Sequence, residues 1–221
     1  MHIVRFKKRL FMTIFGVSLS GVGVAFMSIA NFGLDPFQTF AHGIAHLFPI
    51  SFGTLYVFIN AALLIADFFL DRHYIGVATF FNLFLLGYIV DFFTYLLNSA
   101  FPDPSMFIRI LFLIIGLGIL CFASALYFTS DLGVSTFDAL IQVVADRKIL
   151  SFRMSFIVLD LICVVIGAIT GCLPGVGTLI TAFCMGPLVD FICVTVARPI
   201  LWGRNAEYTP VIKKAEPVQT K

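Results

Sequence analysis

The sequence predicts an all-α integral membrane protein made of two tandem repeats, inverted relative to each other, each with three transmembrane helices and one short half-helix. Three observations predict it. Hydrophobic residues make up 60% of the chain and charged residues only 12%, a balance far from that of soluble domains. The apolar residues fall into six runs of roughly twenty, the length a membrane crossing needs, and a chain this short has too little polar surface to enclose them as core helices. Finally, Asn31-Phe-Gly-Leu-Asp-Pro-Phe-Gln38 and Asp131-Leu-Gly-Val-Ser-Thr-Phe-Asp138, one hundred residues apart, interrupt the apolar pattern in the same way.

Residues 1–9 form a basic, cytoplasmic N-terminus carrying Arg5, Lys7, Lys8 and Arg9. A basic start before an apolar stretch resembles a secretory signal, but the stretch has full span length and no small-x-small site follows cleanly, so an uncleaved helix is expected. The first repeat covers residues 10–97. Leu10 to Ala30 is its first span; Pro36 to Phe48 is about 20 Å of helix, too short to cross alone; Thr54 to Leu70 and Ile75 to Leu97 are the second and third spans. A linker at 98–106, with Pro102 and Pro104, separates the halves. The second repeat, 107–197, reads Phe107 to Phe128, the short Thr136 to Asp146, Phe152 to Thr170 and Gly175 to Ala197. Residues 198–221 are expected to be a polar cytoplasmic tail, without apolar periodicity and disordered after Pro210.

Each short helix has a readable start. Gly33 and Gly133 supply backbone angles closed to other residues, which marks them as hinges. Asp35 and Ser135 are placed to cap the first N–H groups, with Gln38 and Asp138 three positions on as reciprocal partners. Pro36 suits the first helical position, where its missing N–H costs nothing. A helix beginning beside a span brings free N–H groups and a positive dipole end to membrane depth, which is tolerated only under protein or a watery cavity. The two stretches are therefore candidate binding elements.

The duplication shows as ordered matches. At an offset of one hundred, Gly16 falls on Gly116, Gly33 on Gly133, Phe37 on Phe137, Ser51-Phe52 on Ser151-Phe152 and Asn60 on Asp160. At ninety-nine, Gly76-Val77-x-Thr79 falls on Gly175-Val176-x-Thr178, and Gly87-x-x-Val90-Asp91-Phe92 on Gly186-x-x-Val189-Asp190-Phe191. Equivalent loops carry their Lys and Arg on opposite sides. The connection after the short helix has none in the first half but Arg147, Lys148 and Arg153 in the second; after the second span, Arg72 stands against none. This bias favours three crossings per half with inverted halves over four crossings in parallel halves, and it places both termini in the cytoplasm.

These motifs, Gly33-Leu34-Asp35-Pro36-Phe37, Ser51-Phe52-Gly53-Thr54, and Gly76-Val77-Ala78-Thr79 followed by Asn82, Gly87 and Asp91, resemble the YczE group of bacterial integral membrane proteins, distantly related to the YitT group. The resemblance runs from about residue 10 to residue 197. In that group the third motif usually reads Gly-x-Gly-Thr, intact here only as Gly175-Val176-Gly177-Thr178; Ala78 departs from it, so close backbone approach is not expected there. The resemblance implies a bacterial plasma-membrane protein and brings no established biochemical activity with it.

Ionisable groups inside spans are the default functional candidates in a membrane. Asp160, about 12 Å into its helix by helical rise, is expected to be the deepest carboxylate and, with its repeat partner Asn60, to bind a proton or cation or else to make an interhelical hydrogen bond. Asp91 and Asp190 each end a stripe of small residues and are candidate coupling groups or interfacial structural ones. His42 and His46 share a face of the short helix, a spacing that can hold a metal or relay protons; they are candidate coupling groups or else a wetted or hydrogen-bonded face, and without a third ligand no metal site is expected. Cys121, Cys163, Cys184 and Cys193 lie within spans and Cys172 at a junction, and they read as small buried hydrophobes.

The sequence carries no nucleophile–base constellation or phosphate loop, so no enzyme and no cofactor are expected. The leading expectation is a small secondary transporter, with Asp35, Gln38, Asn60, Asp138 and Asp160 lining a central site for an unknown small solute. The alternative is a non-transporting accessory protein bound to another membrane protein. The expected partners are the lipid bilayer and either a second copy or another membrane protein, not nucleic acid.

Overall fold

The computed structural model describes residues 2–70, 75–130, 132–150 and 152–202, and among them every regular element is helical. In order these are α1 (His2–Ala30), α2 (Pro36–Ala45), α3 (Phe52–Leu70), α4 (Val77–Phe81), a π-helical turn (Asn82–Leu86), α5 (Gly87–Ala100), α6 (Met106–Ser130), α7 (Thr136–Asp146), α8 (Phe152–Ile169), α9 (Val176–Ile192), a second π-helical turn (Cys193–Ala197) and α10 (Arg198–Trp202). Four helical stretches are long and apolar enough to cross a membrane: Phe6–Ala30, Phe52–Leu70, Val77–Ala100 and Met106–Ser130.

Boundaries differ from expectation where local chemistry overrides hydropathy. Helix α1 continues back through the basic residues to His2 rather than starting at Leu10, since Lys and Arg are good helix formers wherever water can reach their charges. Helix α2 stops at Ala45, not Phe48, with His46 at its C-terminal cap. Asn31 ends α1 in the left-handed conformation, at φ 55°, a role a short amide side chain tolerates.

The bundle is organised around α1 and α6, which run antiparallel. Arg9 Nε donates to the Ser130 carbonyl at 2.6 Å, and Thr13 Oγ1 donates to Ser130 Oγ at 2.7 Å. Further along, the backbones meet at glycines, where a Cβ on Gly23 would stand 3.0 Å from the Gly116 carbonyl. Such small-residue contacts are what close helix packing in lipid requires. Leu97 packs beside Ala25, Ile29 and Ala30, so α5 runs parallel to α1. Cys193 Sγ lies against the Ala125 carbonyl at 3.5 Å, and Leu113 lies near Gly177, so the α9–α10 rod runs parallel to α6. Lys7, Lys8, Phe11 and Met12 line a surface cavity with Ile200, which brings the start of α1 and the end of α10 to the same end of the bundle.

The short helices interlock the halves. Helix α2 lies along α8, where Gly167 faces Thr39 and Gly43; a Cβ on Gly167 would come within 2.7 Å of the Thr39 carbonyl. Helix α7 lies along α3, held at its start by Thr136 Oγ1 donating to Asn60 Oδ1 at 2.6 Å and at its end by Arg147 donating to the Leu70 carbonyl at 2.9 Å. From Arg9, level with Ser130, to Ala30 is about 31 Å of helix. The five-residue breaks leave α1 and α6 at opposite ends of this pair and each can cover at most about 18 Å, so α2 and α7, whose Phe37 and Phe137 stack at 4.8 Å, begin near the middle.

Candidate functional site: the meeting point of the two short helices

Each break is built from its own sequence and then locked by the other half. Gly33 and Gly133 adopt φ +102° and +107°, angles that favour glycine. A Cβ on Gly33 would stand 2.6 Å from the Gly175 nitrogen, and one on Gly133 2.6 Å from the Gly76 Cα. Gly177 N–H donates to the Phe32 carbonyl at 2.7 Å, and Ala78 N–H donates to the Leu132 carbonyl at 3.0 Å. Thr79 Oγ1 accepts from Gly76 N–H at 3.1 Å and donates to the Val134 carbonyl at 2.6 Å; Thr178 Oγ1 likewise accepts from Gly175 N–H at 3.3 Å. The Gly-x-Gly-Thr motif therefore caps its own helix and receives the opposite break. Ala78 keeps that approach although it has a Cβ, contrary to expectation, because the contact is made through its N–H.

The caps form as expected in part. Asp35 accepts from Gln38 N–H at 3.0 Å, and Ser135 Oγ accepts from Asp138 N–H at 3.1 Å. The reciprocal arm does not take the expected form. Asp138 Oδ2 instead accepts from Ser135 Oγ at 2.7 Å, and Gln38 Oε1 is buried without a hydrogen-bond partner.

Between the two helix starts, Phe37 and Phe137 stack at 4.8 Å, with Tyr56 edge-on to Phe37 at 6.0 Å. Around this pair lie Asp35, Asp138 and Asp160, all half-buried and within electrostatic reach of one another. Asn60 does not pair with Asp160; its amide donates to the Tyr56 carbonyl at 2.8 Å, and its oxygen receives Thr136. Tyr56 OH donates to Asn82 Oδ1 at 3.2 Å, and Asn82 opens the π-helical turn, a backbone widening found at functional sites. Tyr127 OH is buried, without a hydrogen-bond partner, within reach of Asp138.

The remaining candidates lie apart from this centre. Asp91 Oδ2 accepts from Gly53 N–H at 2.7 Å, which satisfies a free donor at the start of α3 and gives the acid a structural task. The Asp190 side chain lies outside the described residues. His42 stacks on Phe52 at 4.0 Å with its Nε2 buried and unpartnered, while His46 is exposed at the end of α2. Sequence reasoning missed Tyr56, Tyr127 and Thr136, and it also missed Asp67. Asp67 has 0% exposure and neither carboxyl oxygen has a partner, so it, rather than half-buried Asp160, is the more completely enclosed acid. Its signal was available: Asp67 follows Asn60 by seven residues, which puts both on one face of α3.

Among the described residues, exclusively helical elements, four of them fit to cross a bilayer, and polar groups gathered where two short helices meet have the character of a helical membrane protein. The chain belongs to a family described as a family of unknown function (DUF6198), which matches residues 7–194. It is similar to an uncharacterized protein of Haemophilus influenzae, 26% identical over 191 residues that cover 86% of each chain. No solved structure matches it.

Proposed function

We propose that the protein is a secondary transporter of a small solute, with three crossings per repeat, inverted halves and a central site where α2 and α7 meet. The observation that carries this reading is the approach of the two short helices from opposite ends to the stacked Phe37–Phe137 pair, with Asp35, Asp138 and Asp160 grouped around it. Opposed half-helices meeting near the midplane are how inverted-repeat carriers build a site open to either face in turn. The antiparallel α1–α6 pair and the reciprocal docking of the breaks support the duplication and the inversion. The Lys and Arg residues at both chain ends support cytoplasmic termini. The motif resemblance to the YczE group supports placement in a bacterial plasma membrane.

Three carboxyl groups, with no Lys or Arg among the described residues around them, favour a cationic or neutral solute, with proton or cation coupling. Asp160 is the group to test, because the structure gives it no capping task. Proteoliposomes containing the protein and a luminal pH dye are challenged with guanidinium or tetramethylammonium, cations that do not leak across as neutral bases. A protein-dependent luminal pH change that Asp160→Asn weakens without lowering thermal stability is expected. No response above empty vesicles, or an Asp160→Asn response equal to wild type, would remove the basis for a cation pathway through this site. Stable co-purification of a membrane partner without flux would instead favour an accessory protein.

A further inference from the structure

We propose that Asp67 is a proton-binding site whose occupancy is tied to the seating of α7 on α3. It deepens the transport reading by naming a coupling proton, but its test does not require transport.

The side chain of Asp67 has 0% exposure, and both carboxyl oxygens lack a hydrogen-bond donor among the described residues. A bare carboxylate in that position would forfeit its hydration with nothing in return, a penalty far larger than that of burying the neutral acid. The proton is therefore bound in this conformation, and losing it to water requires the surroundings to open. What must open is set by the two pins of α7. Thr136 holds its first turn to Asn60, and Arg147 holds its end to Leu70. Asp67 lies between Asn60 and Leu70 along α3, on the face where Asn60 meets Thr136 of α7.

The other half shows what the same junction looks like without an acid. Position 167, equivalent to 67, is glycine, and there α2 lies on α8 with backbone against backbone, more extensively than α7 lies on α3. One short helix is thus seated on a glycine and the other on a carboxyl group.

Among the described residues, the charged and titratable groups on neighbouring elements do not answer Asp67 in this state; Asp71, Arg72 and His73, which follow α3, lie outside them. On α7, Asp138 faces Ser135 at the far end, Arg147 is engaged with Leu70, and the Asp146 side chain is outside the described residues. On α5, Asp91 caps Gly53 at the opposite end of α3, while Tyr88 and Tyr95 are exposed. On α2, His42 stacks on Phe52. Loss of that proton to water at the Leu70 end requires the Arg147–Leu70 pin to open, which releases the end of α7.

The experiment uses the full chain in lipid vesicles. Infrared spectra at neutral pH are expected to contain a carboxylic-acid C=O band that shifts in deuterium oxide and is absent from Asp67→Asn, which mimics the neutral acid and should fold. Hydrogen exchange is expected to show α7 amides losing protection as pH rises in wild type and keeping it in Asp67→Asn. Identical acid-region spectra in the two proteins would overturn the proposal, as would α7 protection with the same pH response in both. Neither readout involves a solute, so failure of the cation-flux assay leaves this inference standing and removes only the cation pathway.

Discussion

Substituting Gly76 by alanine isolates the reciprocal docking of the breaks from the rest of the fold. The new Cβ would be driven into the Leu132 carbonyl and would lie 2.8 Å from the Gly133 Cα. Both are backbone, so no side-chain rotation relieves the clash. Overpacking of this kind costs about 1–3 kcal/mol. Pushing the break away also strains the 3.0 Å bond from Ala78 N–H to the Leu132 carbonyl, worth about 0.5–1.5 kcal/mol. Against this, Gly76 sits at φ −144°, extended backbone that alanine also adopts, so the less flexible unfolded chain returns about 0.4–1 kcal/mol. The balance is a loss of about 2 kcal/mol, or roughly 4–8 °C in melting temperature for a chain of this size. Gly118→Ala is the control, because a Cβ there meets nothing within 4 Å and a helical glycine gains up to about 1 kcal/mol on becoming alanine. Both proteins are purified in the same detergent and melted side by side. Gly76→Ala melting with wild type, or Gly118→Ala falling as far, would refute docking as the source of the glycine requirement.

Three further outcomes are expected. Asn60→Leu leaves the buried Thr136 hydroxyl without its acceptor and should cost about 1–3 kcal/mol; adding Thr136→Val should recover part of that loss in the same melting assay. Asp91→Ala removes the acceptor for Gly53 N–H and should cost about 1 kcal/mol, with fraying at the start of α3 visible by hydrogen exchange. Single cysteines at Ser99 or Ser105, in a background lacking the five native cysteines, should react with a membrane-impermeant reagent on intact cells, while one at Lys7 should not. The opposite pattern would reverse the proposed orientation.

The local devices were legible because their causes are local. Glycine followed by a capping residue is enough to predict where α2 and α7 start, and the observed starts are Pro36 and Thr136. What receives the breaks was not legible, since the carbonyls of Phe32 and Leu132 find donors more than forty residues away, and no periodicity encodes such a pairing. Gln38 shows the same limit from the other side. Its spacing satisfies the capping-box pattern, yet its side-chain oxygen is left unpaired in the interior. Asn60 and Asp160 matched by offset but do different work, because Asn60 is held by Tyr56 and Thr136 while Asp160 stays half-buried near Asp35 and Asp138. Position along a helix predicts depth in a bilayer, whereas enclosure depends on what lies alongside. Asp67, near the end of its helix, is therefore more fully buried than Asp160 near the middle of its own.

That difference bears on how the two halves would divide their labour if they are the inverted repeats proposed. In an inverted pair, any state in which α2 is seated and α7 released has a counterpart with the roles exchanged, and identical halves would hold the two states at equal free energy. On the proposed reading the halves differ at positions 67 and 167. Gly167 lets the α2 backbone touch α8, while the proposed proton site at Asp67 has a preference for burial that reverses with a single proton, so one seat would be permanently favoured and the other conditional. Under the proposed function, the conditional seat is the one coupled to pH across the membrane, and restoring symmetry with Asp67→Gly should remove the pH response of α7 in hydrogen exchange while leaving α2 as it was.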